Sequence, residues 1–381
     1  MNSLQTRQLS SAISRRPNCL TRQHGLTLIE LMISMVIGLV LVGGVLSIFV
    51  TTNQTAKLND NLMRVQEDAR GAFEVMARDI REAGQNPCGS RKVANVLRDA
   101  GGAIPVWTDW NLGTLRGYDN TEDEAAIKAI GTTDTARVTG TDAVLVIKTG
   151  QDENTVASHD ATVDKRFVLT ASSNYKVNDI AFVCDALSSA IFQINTVSGG
   201  SGLTGNKIDH GADSTTNMNC DDFLSYSTPV TTCPTALKVF DNTQPATPEV
   251  KLAPLMSSFW YVGYVGNDQS KRSLYRSSIT RSDTGGTTII IMATDEIIPD
   301  VQDLQITYLT RDGTTGALAS NWVDATAVTD WADDNTTAQV VAVKLDLTLQ
   351  TTDKVSVTQT PIQRHLIHVV ALRNRDVFVS P

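Results

Sequence analysis

The sequence predicts an α+β fold: a long N-terminal helix, membrane-spanning in its first half and amphipathic in its second, packed on a C-terminal antiparallel β-sheet domain. Three observations carry this reading. Residues 31–50 form an uncharged run of 20, the length that crosses a hydrocarbon core as a helix. After Thr51 the uniform run turns into a stripe of helical period. From about Val93 onward, short β-branched runs alternate with Thr, Asp, Ser, Gly and Asn, and a helix followed by many strands is the order of an α+β chain.

The chain opens with a basic leader. Residues 1–25 hold Arg7, Arg15, Arg16 and Arg22 and no acid, so the leader is +4 and the remainder of a chain of net charge −9 is −13. An excess of arginine beside a span marks its cytoplasmic side, so the chain beyond Val50 is expected to be exported. An acidic body repels phosphate backbones, and nucleic acid is not an expected partner.

Glu30 stands at the head of the apolar run. A carboxylate inside a bilayer costs about 2.5–3.5 kcal/mol and calls for a partner. An ordinary signal peptide has a shorter apolar region, and an uncut anchor leaves Glu30 unexplained. A cut after Gly25 supplies the partner, because Leu26 becomes the terminus and its cationic α-amino group lies four residues before the carboxylate. Gly25-Leu26-Thr27-Leu28-Ile29-Glu30 resembles the class III signal of type IV pilins and type II secretion pseudopilins. The resemblance implies that a membrane prepilin peptidase cuts after Gly25 and methylates Leu26, and that Glu30 docks the subunit into a growing fibre. Leu26 stands where phenylalanine is commoner. Major pilins usually carry a proline near the place of Ser47, and its absence fits a minor subunit.

The stripe comprises Leu58, Leu62, Val65, Ala69, Phe73, Met76, Ile80 and Ala83, one face of a helix. Arg64, Glu67, Asp68, Arg70, Glu74, Arg78, Asp79 and Arg81 are expected elsewhere around it. Gly84 and then Asn86-Pro87 stop the helix. The expected organisation is a cleaved leader over 1–25, a span over 26–50, its amphipathic continuation over 51–84 and an exported β-rich domain over 85–381.

Within that domain, strands are expected at 143–148, 166–170, 179–184, 190–195, 259–265, 273–276, 287–292, 302–309, 340–349 and 366–373. Cys19 lies in the leader, which leaves Cys88, Cys184, Cys220 and Cys233, an even number suited to two bridges in an oxidising compartment. Three connectivities are open and the sequence does not choose among them; a local loop between Cys220 and Cys233, with Cys88 left to Cys184, is preferred.

Ser273-Leu274-Tyr275-Arg276, Asp303 to Tyr308, Val328-Thr329-Asp330-Trp331 and Ala371 to Arg375 resemble features of PilW-type minor pilins, as does Cys184-Asp185 followed by Ile191-Phe192-Gln193. The resemblance implies co-assembly with other minor and major pilins on an inner-membrane platform, from a single-pass form whose domain is periplasmic to a place at or near the pilus tip. It implies a role in priming pilus assembly, twitching motility and adhesion. A minor pseudopilin of type II secretion shares these physics, and a membrane-anchored periplasmic binding domain is the alternative from a different class.

No catalytic constellation is expected, and the protein is read as a non-enzyme without cofactor or metal. The GxGxxG within 198–205 needs a helix to begin there before it can hold a pyrophosphate, and no helical period follows. His365 and His368, three apart on one strand, face opposite ways; His159 and His210 are assigned to polar loops. Two acidic loops, Asp119 to Glu124 and Asp333-Asp334-Asn335, lack EF-hand spacing and are read as solvated.

Overall fold

The computed structural model describes residue 25 and residues 27–89, 92–199, 205–212, 218–228, 232–240, 249–284, 287–351 and 361–375. The chain divides into two compact units, Met1–Lys57 and Leu58–Pro381. Helix α1 (Leu28–Arg81) contributes to both.

In the first unit, α1 is long and apolar enough to cross a membrane, and its large apolar side chains from Leu28 to Val50 are exposed. The hydroxyls of Ser34, Thr51, Thr52 and Thr55 each donate to the carbonyl four residues earlier, at 2.7–2.9 Å. Back-bonding of this kind hides a hydroxyl that would find no partner in lipid.

The second unit is built on the striped half of α1. Val65, Ala69, Phe73, Met76, Ile80 and Ala83 are all buried, together with Ala72 and Ala77. The stripe therefore packs as its spacing demands, with one correction: Asp79, expected on the polar side, is 7% exposed and lies on the buried arc. Helix geometry ends at Arg81, and Gly84 follows with φ +73°. A Cβ at Gly84 would stand 2.8 Å from Asp333 Oδ2 and 2.9 Å from Thr114 Oγ1, so the turn needs both the left-handed backbone and the missing side chain.

The sheet domain is mostly antiparallel. Its larger sheet has twelve strands among the described residues: β1 (Val93–Asn95), β2 (Leu115–Tyr118), β3 (Ala143–Thr149), β4 (Asn154–Asp160), β5 (Arg166–Ser173), β6 (Ile180–Cys184), β7 (Ser189–Gln193), β8 (Thr196–Ser198), β9 (Gly205–Asp209), β10 (Lys251–Val265), β11 (Asp268–Thr284) and β12 (Thr287–Pro299). A second sheet runs β13 (Val301–Arg311), β14 (Gln339–Gln350) and β15 (Gln363–Ala371) in that order. Only β1 with β7 pairs in parallel among these strands. The strand β10 is the spine: residues 251–254 pair with β6 and residues 255–261 with β3. Pro254, which lacks an N–H, stands where the partner changes.

All ten expected strands coincide with or overlap observed ones. Five observed strands, β1, β2, β4, β8 and β9, were not expected. One core joins α1 to β3 and β10 on one side and to β13, β14 and β15 on the other, through residues such as Val146, Trp260, Leu304, Tyr308, Leu345 and Val370. A separate core lies under β4 to β9, around Phe167, Phe192, Ile208 and Phe240.

Candidate assembly site

The first turn of α1 carries the group on which assembly was expected to depend. Thr27 precedes the helix and Glu30 closes its first turn. The Thr27 backbone N–H and hydroxyl each approach Glu30 Oε2 at 3.3 Å, and the Glu30 N–H donates to Thr27 Oγ1 at 3.3 Å. This is a capping box, in which threonine and glutamate satisfy each other's orphan donors, with the carboxylate at the positive end of the helix dipole. The Thr-x-x-Glu spacing was readable in the sequence but was not read there. Gly25 meets nothing within 4 Å of a built Cβ, and its φ is not among the positive ones. The fold therefore sets no demand for glycine at 25. Leu26 lies outside the described residues. A Cβ at Gly38, Gly43 or Gly44 likewise meets nothing within 4 Å, and the spacings of five and one residues set the three on different faces of the helix.

The other end of α1 is fastened by charge. Lys148 Nζ on β3 lies 2.8 Å from Asp79 Oδ1 and 2.7 Å from Glu82 Oε2, and Trp260 Nε1 on β10 donates to Asp79 Oδ2 at 3.1 Å. Asp79 and Lys148 side chains are each 10% exposed, so neither charge would be tolerated there alone. The sequence carried a signal for this pair: an acid inside the helical stripe and a lysine ending an otherwise apolar strand.

The C-terminal segment completes the seat. Arg373 donates its N–H to Arg81 O at 3.3 Å, and Asn374 Nδ2 donates to Ala83 O at 3.0 Å. Arg375, 1% exposed, pairs with Asp333 at 2.7 Å. Both Asp333 oxygens also accept from Thr114, at 3.0 Å from its N–H and 2.7 Å from its hydroxyl. The loop 333–335, read as solvated, is instead a buried anchor in part. In the other acidic loop, Arg137 is fully buried and donates to the carbonyls of Tyr118, Asp119, Glu122 and Thr141. The backbone thus folds around a guanidinium, while the side chains of residues 120–123 are exposed, as read. No group of three or more His, Cys, Asp or Glu side chains able to hold a metal occurs among the described residues.

The recurrent C-terminal features serve packing. Tyr308 is fully buried, meets Trp331 edge-on at 4.8 Å and packs so close to Gly117 that no Cβ would fit there. Tyr275 donates to Tyr264 O at 3.3 Å, and Arg276 lies over the Trp260 ring at 5.6 Å. Asp185 accepts from Leu187 and Ser188 at 2.8 Å each and pairs with Lys238 at 2.6 Å. The four cysteines beyond the leader are joined as Cys88–Cys184 and Cys220–Cys233, with Cα separations of 5.9 and 6.2 Å.

The histidines require a correction. His159 lies on β4 and His210 just after β9, and both are buried. Their Nε2 atoms are 2.9 Å apart, and the Phe240 N–H donates to His159 Nδ1 at 3.1 Å. With Nδ1 accepting, the proton of neutral His159 sits on Nε2 and points at His210 Nε2, which fixes the His210 proton on Nδ1. Burial pushes both down, His159 further by its neighbour, to about 3 and about 4. His365 and His368 do face opposite sides of β15, and His368 stacks on Phe73 at 5.3 Å. Residues 200–204 of the glycine-rich segment lie outside the described residues, and Gly205 opens a strand rather than a helix.

A family model described as the prokaryotic N-terminal methylation motif matches residues 20–46, and one described as Type IV Pilus-assembly protein W matches residues 261–372. No curated protein and no solved structure matches the chain. The methylation motif implies processing by a prepilin peptidase in a pilus-assembly setting, and the apolar helix suggests a membrane anchor. Both matches support a pilus-related, pilin-like role.

Proposed function

Taking the chain as a PilW-type pilin, we propose that it is a minor pilin that co-assembles with other minor and major pilins to prime the type IV pilus. The observation that supports this most is the placement of Glu30 in the first turn of a span, five residues after a glycine that the fold itself does not require. A peptidase that reads Gly25 would account for it. Cleavage there leaves Leu26 as a methylated cationic terminus in front of the Thr27–Glu30 capping box. In a bundle of such helices, the Glu30 carboxylate of one subunit answers the terminal amine of its own or a neighbouring chain, and the attraction is strong because the surroundings are apolar.

Before assembly the chain is held in the inner membrane by α1, with the sheet domain in the periplasm, where both disulfides persist. After assembly on the inner-membrane platform it lies at or near the pilus tip, in support of twitching motility and adhesion. Mass spectrometry of the mature N-terminus tests the first step: a methylated chain beginning at Leu26 is expected, and a chain retaining residues 1–25 would overturn it. The Glu30→Ala variant is expected to be cut normally yet to lower surface piliation, and an unchanged pilus yield in a complemented deletion strain would count against docking by Glu30. Loss of protein secretion with intact motility in the deletion strain would place the subunit in a type II secretion system instead.

A further inference from the structure

The three-stranded sheet ends in an open edge. Among the described residues, β15 pairs with β14 on one side and with nothing on the other. Leu372 donates to Val341 O and Thr351 to Ile362 O, each at 2.9 Å, so the even-numbered residues of this strand turn their backbone groups to β14. By the alternation of an antiparallel ladder, the N–H and C=O groups of His365, Ile367 and Val369 point outward. Ile367 and Val369 are also 64% and 52% exposed. Edges of this length and composition are usually blunted by charge, proline or a cover; β15 has no proline, and Arg364 at its start is its only Arg, Lys, Asp or Glu.

A groove of about 540 Å³ runs beside this edge, between β15 and the striped half of α1. Phe73, Ala69, Ala77 and Leu366 form its floor, and Arg70 and Arg81 stand at its rim against the single acid Glu74. With Arg364 on the strand itself, the site is basic, on a protein whose exported body is −13. Self-pairing of two β15 edges would bring together strands that carry only basic charge, so the complement is an acidic strand.

We propose that the open edge of β15 receives an extended acidic segment of another pilus subunit, which adds as a fourth strand and seats its inward side chains in the groove. Main-chain hydrogen bonds supply affinity and the groove supplies selectivity, while Arg70 and Arg81 select against basic partners. The assignment rests on the pilin reading only for the donor being a subunit of the fibre.

Hydrogen exchange of the full chain in detergent micelles tests it, with a nine-residue peptide alternating valine and glutamate as the probe. Amides of His365, Ile367 and Val369 are expected to exchange rapidly in the free protein and at least about tenfold more slowly at a peptide concentration ten times Kd. A valine–lysine peptide is expected to give no slowing. Ile367→Pro removes an outward donor without touching the β14 ladder and is expected to abolish protection; Arg70→Glu, on the exposed helix surface, is expected to weaken peptide binding about tenfold. Equal protection by the lysine peptide, or none by the glutamate peptide, would overturn the proposal. So would edge amides already protected without peptide: independent of protein concentration this means cover by the chain itself, and rising with concentration it means a second copy. Peptide binding and N-terminal processing are read separately, so failure of one leaves the other standing.

Discussion

The core under α1 and the core under β4 to β9 bury their polar groups in opposite ways. Around α1 the buried groups are charged and answered: Lys148 meets Asp79 and Glu82, and Arg375 meets Asp333. Under β4 to β9 the central polar groups are two neutral imidazoles sharing one proton between their Nε2 atoms. A charge pair fixes geometry at the expense of desolvation, and a helix that must be held in one register gains from that. A neutral pair avoids the desolvation, but adding a proton to it destroys the hydrogen bond. The difference separates a mechanical joint from a region whose integrity depends on pH.

Four experiments break or sharpen this contrast. The largest effect is expected from the long covalent tie at the end of β6, which packs in a third core around Phe182 and Phe259. Cys88–Cys184 spans 96 residues, a loop whose closure is worth about 4–5 kcal/mol in the chain-entropy account. Cys88→Ser with Cys184→Ser should lower stability by about that much in urea titration, and more than loss of Cys220–Cys233, whose span is 13 residues. Next, Asp79→Ala strands a buried lysine with only Glu82 and leaves the Trp260 N–H unanswered; a loss of about 3 kcal/mol is expected in the same urea titration.

The third experiment is an acid titration. Both buried histidines are held below the ordinary value of 6.5. Below that value the unfolded chain takes up two protons that the folded chain refuses, so stability is full above pH 6.5 and falls as pH drops toward 4. Asp142 opposes this. Its Oδ2 accepts from the Ile306 N–H at 2.7 Å, and burial raises it to about 7, so between 4 and 7 the folded chain holds a proton that the unfolded one releases. The three groups together leave a net uptake of one proton on unfolding, a fall of about 1.4 kcal/mol for each pH unit below 6.5. The smallest change is the fourth: Asp142→Asn removes the opposing proton, and the measured slope should steepen by about one further proton per molecule. A slope unchanged by that variant would show that the carboxyl is already ionised in the folded protein.

The readability of the sequence divides along the same line. The stripe from Leu58 to Ala83 was legible because helix period and burial coincide at each of its positions from Val65 onward. The strands of the C-terminal half were legible because β14 alternates regularly. The second region hid its strands for a physical reason. In β4 the register shifts between Val156 and Ser158, so the buried positions Val156 and His159 lie three apart and the period of two is lost. His159 therefore resembled a loop residue. Asp79 was misplaced for a different reason: its burial depends on Lys148 and Trp260, 69 and 181 residues away, and although an acid in the stripe and a lysine in an apolar strand each stood out, no local pattern joins them. At the assembly site, Gly25 and Glu30 stood out as departures from an otherwise greasy helix, whereas the cap that Thr27 forms with Glu30 did not.

The bonds from Arg373 and Asn374 to the carbonyls of Arg81 and Ala83 set an order of events. Ala83 waits for a residue 291 positions downstream, so the clasp on the helix forms only after the strands between them have been synthesised. Until then the buried face of α1 lacks its final cover, and closure over so long a sequence separation is slow. A chain truncated before Arg373 therefore presents an unlatched helix, and the latch itself reports that synthesis has passed Asn374.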